Sequence, residues 1–69
     1  MRPLTAKQLI KILEENGFWI ARQRGSHRIY KNGDGIIVPV PIHGKNKSIY
    51  LGTFLAIIKQ SKIPKDRFK

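Results

Sequence analysis

The chain has 69 residues, 41% of them hydrophobic, and sets 14 lysines and arginines against four acids for a formal charge of +10. It reads as one small domain over residues 1–69, because chains divide only beyond ~250 residues. The absence of cysteine excludes a disulfide framework and a thiolate metal site, and with no signal-like apolar run and no stretch near the ~20 residues of a membrane span, a soluble cytoplasmic protein is expected.

The first predicted element is a helix from about Ala6 to Asn16. Thr5-Ala6-Lys7-Gln8 has the form of a capping box, Ala6, Leu9, Ile10 and Leu13 recur at helical spacing, and Gly17 offers a left-handed stop. Phe18 to Gln23 is aromatic and β-branched enough for a strand, with Phe18, Ile20 and Arg22 on one face and Trp19, Ala21 and Gln23 on the other, although the alternation is imperfect. Gly25-Ser26 supplies turn chemistry, and His27 to Lys31 reads as the second strand. Asn32-Gly33-Asp34-Gly35 signals another hairpin, and Ile36 to Ile42 forms the third strand. Pro39 and Pro41 cannot donate to a ladder, so that strand belongs at a sheet edge with both nitrogens turned away from its neighbour.

His43 to Ser48 is a polar, basic loop. A second helix follows from about Gly52 to Ser61, where Leu51, Leu55 and Ile58 keep helical spacing with Phe54 and Ile57, and Pro64 stops it. Lys65 to Lys69 either adds a turn or frays. The order α-β-β-β-α is an α+β fold, and laying both helices on one face of a three-stranded antiparallel sheet hides both apolar stripes. With Phe18, Ile20 and Tyr30 toward the helices, His27, Ile29 and Lys31 point to the free face; a one-residue slip reverses them.

The chemistry-bearing stretch is Arg24-Gly25-Ser26-His27-Arg28. It places one imidazole, the side chain best suited to exchange protons near neutrality, among Arg22, Arg24, Arg28 and Lys31, with no acid between Gly17 and Gly33. The alternative for an isolated histidine is a surface position in a basic hairpin. The charge excess points to a polyanionic partner, nucleic acid before an acidic protein surface. A membrane partner is not expected, since the cations are not gathered on the polar face of one amphipathic helix.

Three pieces in order carry a resemblance. Gly17-Phe18 followed by Arg22-Gln23-Arg24-Gly25-Ser26-His27, then Val40-Pro41-Ile42-His43-Gly44, then Gly52-Thr53-Phe54 leading into Ile57-Ile58-Lys59-Gln60-Ser61, resemble the HicA-type toxins of HicA–HicB toxin–antitoxin pairs over almost the whole chain. The resemblance implies a double-stranded-RNA-binding-domain-like fold and an endoribonuclease that cleaves mRNA without metal or other cofactor. It also implies a catalytic histidine at His27 and neutralisation by a cognate HicB-type antitoxin. Many relatives carry a second histidine immediately after the first, where this chain has Arg28.

Elementary chemistry is compatible with that implication. RNA brings its own nucleophile, the 2′-hydroxyl, so cleavage needs a base, cations for the crowded phosphorane and an acid for the 5′-oxygen. His27 is expected to be the base or the acid. Arg22, Arg24, Arg28, Lys31, Lys45 and Lys47, with Gly25 and Ser26 in the turn, form the expected RNA-binding set. The acids Glu14, Glu15, Asp34 and Asp66 form no cluster for a two-metal nuclease, so no metal site is expected. His43 is either the second proton carrier or a strand-ending packing residue. The rival function is a non-catalytic RNA-binding domain of the same fold, which reads helix width through phosphate and 2′-hydroxyl contacts. Against it, the start of the second helix carries no lysine cluster.

Overall fold

In the computed structural model, which describes residues 4–42 and 48–68, the order is helix, three strands, helix. His43, Lys45 and Lys47 lie outside the described residues. Helix α1, Ala6–Glu15, begins at the expected capping box: Thr5 Oγ1 accepts from the Gln8 amide at 3.2 Å, and Gln8 Oε1 accepts from the Thr5 amide at 3.0 Å. It ends at Gly17, whose φ is +87°. There the Gly17 amide donates to the Glu14 carbonyl at 3.3 Å and the Phe18 amide to the Leu13 carbonyl at 3.0 Å. This is the Schellman arrangement, and the apolar pair that accompanies it, Leu13 and Phe18, is buried. The chain is thereby turned directly into the sheet.

Strands β1, Trp19–Arg24, β2, His27–Lys31, and β3, Ile37–Pro41, form one antiparallel sheet in the order β1-β2-β3. Arg28 pairs with Val40 and Tyr30 with Val38, while the flanking bonds from the Ile42 amide to the Ser26 carbonyl and from the Asn32 amide to the Ile36 carbonyl keep the same phase. The intervening Pro39 and Pro41 therefore direct their nitrogens away from β2, as an edge strand requires. The Gln60 side-chain amide donates to the Ile37 carbonyl at 2.6 Å. One of the edge's outward-facing acceptors is thus occupied by helix α2, Leu51–Ser61.

The core lies on one face of the sheet. Leu9 and Leu13 from α1 and Phe54, Ile57 and Ile58 from α2 are buried with Tyr30, Val38 and Val40. Beyond α2, Lys62 takes a left-handed φ of 61°, and buried Ser61 holds the exit by donating to the Ile58 carbonyl and accepting from the Ile63 amide. A short 3-10 turn, Lys65–Phe68, then returns Phe68 to the core, edge-on to Phe54 with ring centroids 6.0 Å apart. The tail reads as an added turn, because Phe68 has somewhere to go.

Strand β1 departs from expectation. All six of its residues are exposed, so the buried side chains of the sheet come from β2 and β3. Its ladder with β2 runs Trp19↔Lys31 and Ile20↔Tyr30, then resumes as Arg22↔Ile29, Gln23↔Arg28 and Arg24↔His27. Ala21 is the extra residue of a β-bulge. Because one inserted residue inverts every side chain beyond it, Arg22 and Arg24 share a face with Trp19, and the expected grouping of Arg22 with Phe18 and Ile20 is corrected. Deleting Ala21 should then leave the register of both flanking pairs intact, whereas deleting Ile29 from unbulged β2 should unfold the protein. The thermal midpoint of the Ala21 deletion is expected within about 8 °C of wild type, roughly 1 kcal/mol for a domain this small. Loss of its cooperative transition would contradict the bulge.

Candidate nucleic-acid interface

Tyr30, at 2% exposure, points into the core, so its neighbours along β2 point out. Residues directly opposite across an antiparallel ladder share a face, and the open face is therefore three rows deep. The rows are Trp19, Lys31 and Ile37; Arg22, Ile29 and Pro39; and Arg24, His27 and Pro41. Each row carries a cation from β1 or β2 and ends in an apolar residue on β3. Opposed side chains in such a ladder stand ~5 Å apart at Cβ, which puts the Arg24 guanidinium within easy reach of anything bound at the His27 imidazole.

The turn beneath that last row has the local chemistry it needs. Gly25 has φ +58°, Ser26 stays at negative φ, and this sign pattern belongs to the II′ turn that matches strand twist in a two-residue hairpin. Gln23 steadies it by donating from Nε2 to the Gly25 carbonyl at 3.2 Å. On the far side, the bond from the Ile42 amide to the Ser26 carbonyl, 2.8 Å, ties the end of β3 to the same turn. His27 is thus held between two strands at a point where the backbone is bonded on both sides.

Of the residues expected to bind RNA, Arg22, Arg24 and Lys31 gather with His27 on this face, and Gly25 and Ser26 form its end. Arg28 does not join them. It pairs with Val40 on the helix side of the sheet and lines a groove of about 640 Å³ with Ala6, Lys7, Ile10 and Lys11 of α1 and with Ile42. Its Nε is buried without a hydrogen-bond partner among the described residues. The guanidinium support nearest to His27 therefore comes from Arg24, with Arg22 one row away. Reading the sequence did not count Trp19, Ile37, Pro39 or Pro41 among the site residues, although it placed Trp19 on the face opposite Phe18 and Ile20. The imperfect alternation of Phe18 to Gln23 was the only trace of the bulge that brings Arg22 and Arg24 to the face of Trp19.

Among the described residues, no three of His, Cys, Asp and Glu come together as ligands for a metal ion, and no helix is long and apolar enough to cross a membrane. The family model described as the HicA toxin of bacterial toxin–antitoxin systems matches residues 6–63, from the first residue of α1 to the exit from α2. No curated protein matches the chain significantly. The match takes in all three strands, both helices and the turn that carries His27. With so much of its length covered, the chain belongs to the HicA family of toxins from bacterial toxin–antitoxin systems.

Proposed function

We propose that the protein is the mRNA-cleaving toxin of its toxin–antitoxin pair, acting in the cytoplasm through His27 and without a metal ion. The observation that carries this reading is the position of His27 directly across the ladder from Arg24, on an open face that also holds Arg22 and Lys31. In the proposed reaction a base takes the 2′-hydroxyl proton, the 2′-oxygen bonds to phosphorus, and the bond from phosphorus to the 5′-oxygen breaks as an acid returns a proton to it. His27 fills one of these two roles. Arg24 meets the phosphorane's oxygens in the two-pronged geometry that guanidinium offers phosphate. His43 is the proposed second proton carrier, and it follows Ile42, whose amide is bonded to the carbonyl of Ser26.

Metal independence rests on where the acids fall. Glu14 and Glu15 end α1, Asp34 sits in the β2–β3 turn and Asp66 in the final 3-10 turn, none in a strand of the sheet that carries His27. The partner proposed for this face is an acidic HicB-type antitoxin, since a +10 domain attracts an oppositely charged surface and Ile29 and Ile37 add apolar area between the cations.

Three outcomes test this reading. His27→Ala should abolish cleavage of mRNA and growth inhibition while changing stability by no more than ~0.5 kcal/mol, as a substitution at an exposed position does. The wild type should cut in excess EDTA and leave a 2′,3′-cyclic or 3′-phosphate with a 5′-hydroxyl; a 5′-phosphate, or chelator inhibition relieved by magnesium, would defeat the mechanism. RNA binding with no cleavage by the wild type would point instead to a non-catalytic RNA-binding domain.

Arg24→Ala should slow cleavage about 10²–10³-fold, the loss typical of one donor to a developing oxyanion, whereas Arg28→Ala should leave the chemical step within a few-fold. Equal losses at both arginines would contradict the division of the sheet into two faces. Co-expression with the product of an adjacent reading frame should restore growth and yield a co-purifying complex in which His27 is covered. Failure on both counts would remove the proposed partner while leaving the ribonuclease assay to stand alone.

A further inference from the structure

The open face contains a side chain that neither acid–base chemistry nor charge neutralisation uses. Trp19 is the chain's only tryptophan, and it remains half-exposed although β1 directly follows the buried Phe18. Its place beside Lys31, in the row farthest from His27, is set by the ladder, and Arg22 lies on the same face because of the bulge at Ala21. From Lys31 back to His27 is four residues of β2, a span of ~13 Å at ~3.3 Å per residue. Stacked bases follow one another every ~3.4 Å along a strand, so the two ends of the face are roughly four nucleotides apart.

Resting on the ribonuclease reading, we propose that Trp19 is a stacking platform for an unpaired nucleobase of the substrate, a few nucleotides from the phosphate at His27. An indole offers a large π-face to any base, and cations at its sides meet the phosphates that flank that base; this pairing of aromatic and basic side chains is how single strands are held without sequence readout. The face supplies both halves. Arg22 and Lys31 lie in the same row as Trp19 or the next, with Arg24 and His27 completing the track. An A-form duplex would keep its bases stacked inside, so the substrate that uses Trp19 is single-stranded at this point. An acidic protein segment would use the cations but has no need of a π-face among them.

The test uses the full chain carrying His27→Ala, titrated with a labelled ten-nucleotide single-stranded RNA and followed by anisotropy. Adding Trp19→Ala should weaken binding about ten- to hundredfold, the range expected for loss of one stacked base, and Trp19→Phe should recover most of it. Ile20→Ala is the control, because Ile20 has similar exposure on the opposite face, paired with Tyr30. It should bind like the parent. The salt dependence separates stacking from charge: Trp19→Ala should keep the parent's log–log slope, while Arg22→Ala should flatten it by about 0.7. In the active protein, Trp19→Ala should raise KM on the ten-nucleotide substrate and leave kcat unchanged, with no effect on a dinucleotide too short to reach it. Binding by Trp19→Ala equal to the parent's, or an equal loss on the dinucleotide, would overturn the proposal while the ribonuclease reading stood. A His27→Ala parent that does not bind RNA, together with a wild type that does not cleave it, would overturn both.

Discussion

Burial of Tyr30 against the helices is the constraint from which the proposed functional face follows. A strand alternates, so one large side chain pinned at 2% exposure beside fully buried Val38 and Val40 leaves no freedom for its neighbours. His27, Ile29 and Lys31 must then face away from the core. A one-residue slip would carry the Tyr30 ring into solvent and the His27 imidazole under α1 and α2, exposing apolar area and burying a polar ring together. Large-to-small changes at such core positions cost about 3–5 kcal/mol, a substantial share of the 5–15 kcal/mol that holds a typical domain together.

Two smaller devices turn that outward direction into the proposed site. The Gly25-Ser26 turn stops β1 at Arg24 and starts β2 at His27, so the cation and the imidazole become directly opposed across the first pair of the hairpin. The bulge at Ala21 then sorts β1. Were Ala21 paired in a regular, unbulged ladder, Trp19 and Arg22 would lie on different faces, and the cations of β1 would be separated from the only large aromatic side chain of the strand. Bulges occur where a sheet must re-aim a side chain, and here the re-aimed residues are the ones nearest to His27. Exposure of the whole of β1 is consistent with a strand retained for its surface, since it contributes no buried side chain.

Much of this was legible in the sequence. The element order, the capping box at Thr5, the glycine stop after Asn16 and the edge placement forced by Pro39 and Pro41 all have local causes, and local causes can be read from adjacent residues. The outward direction of His27 was legible too, conditional on Tyr30 facing in. The bulge was not, because an unpaired alanine leaves no mark but a faltering alternation. The separation of Arg28 from His27 was legible in principle, since adjacent residues on a strand oppose one another, but its charge grouped it with Arg24 until the pairing with Val40 put it over the α1 groove. Gln60 and its bond to the Ile37 carbonyl joins residues 23 positions apart, and only the packed fold could disclose it.

The central claim is that the sheet face of Trp19, Arg22, Arg24, His27, Ile29 and Lys31, and not the groove under Arg28, receives RNA. Amide chemical-shift mapping on the ¹⁵N-labelled His27→Ala protein, titrated with a short single-stranded RNA, tests it most directly. The account predicts perturbations concentrated in β1, β2 and the turn at Gly25, with the Trp19 indole N–H among the largest and the exposed side of α1 unmoved. Shifts clustered instead at Lys7, Lys11 and Arg28, with Trp19 and Arg24 unchanged, would contradict it.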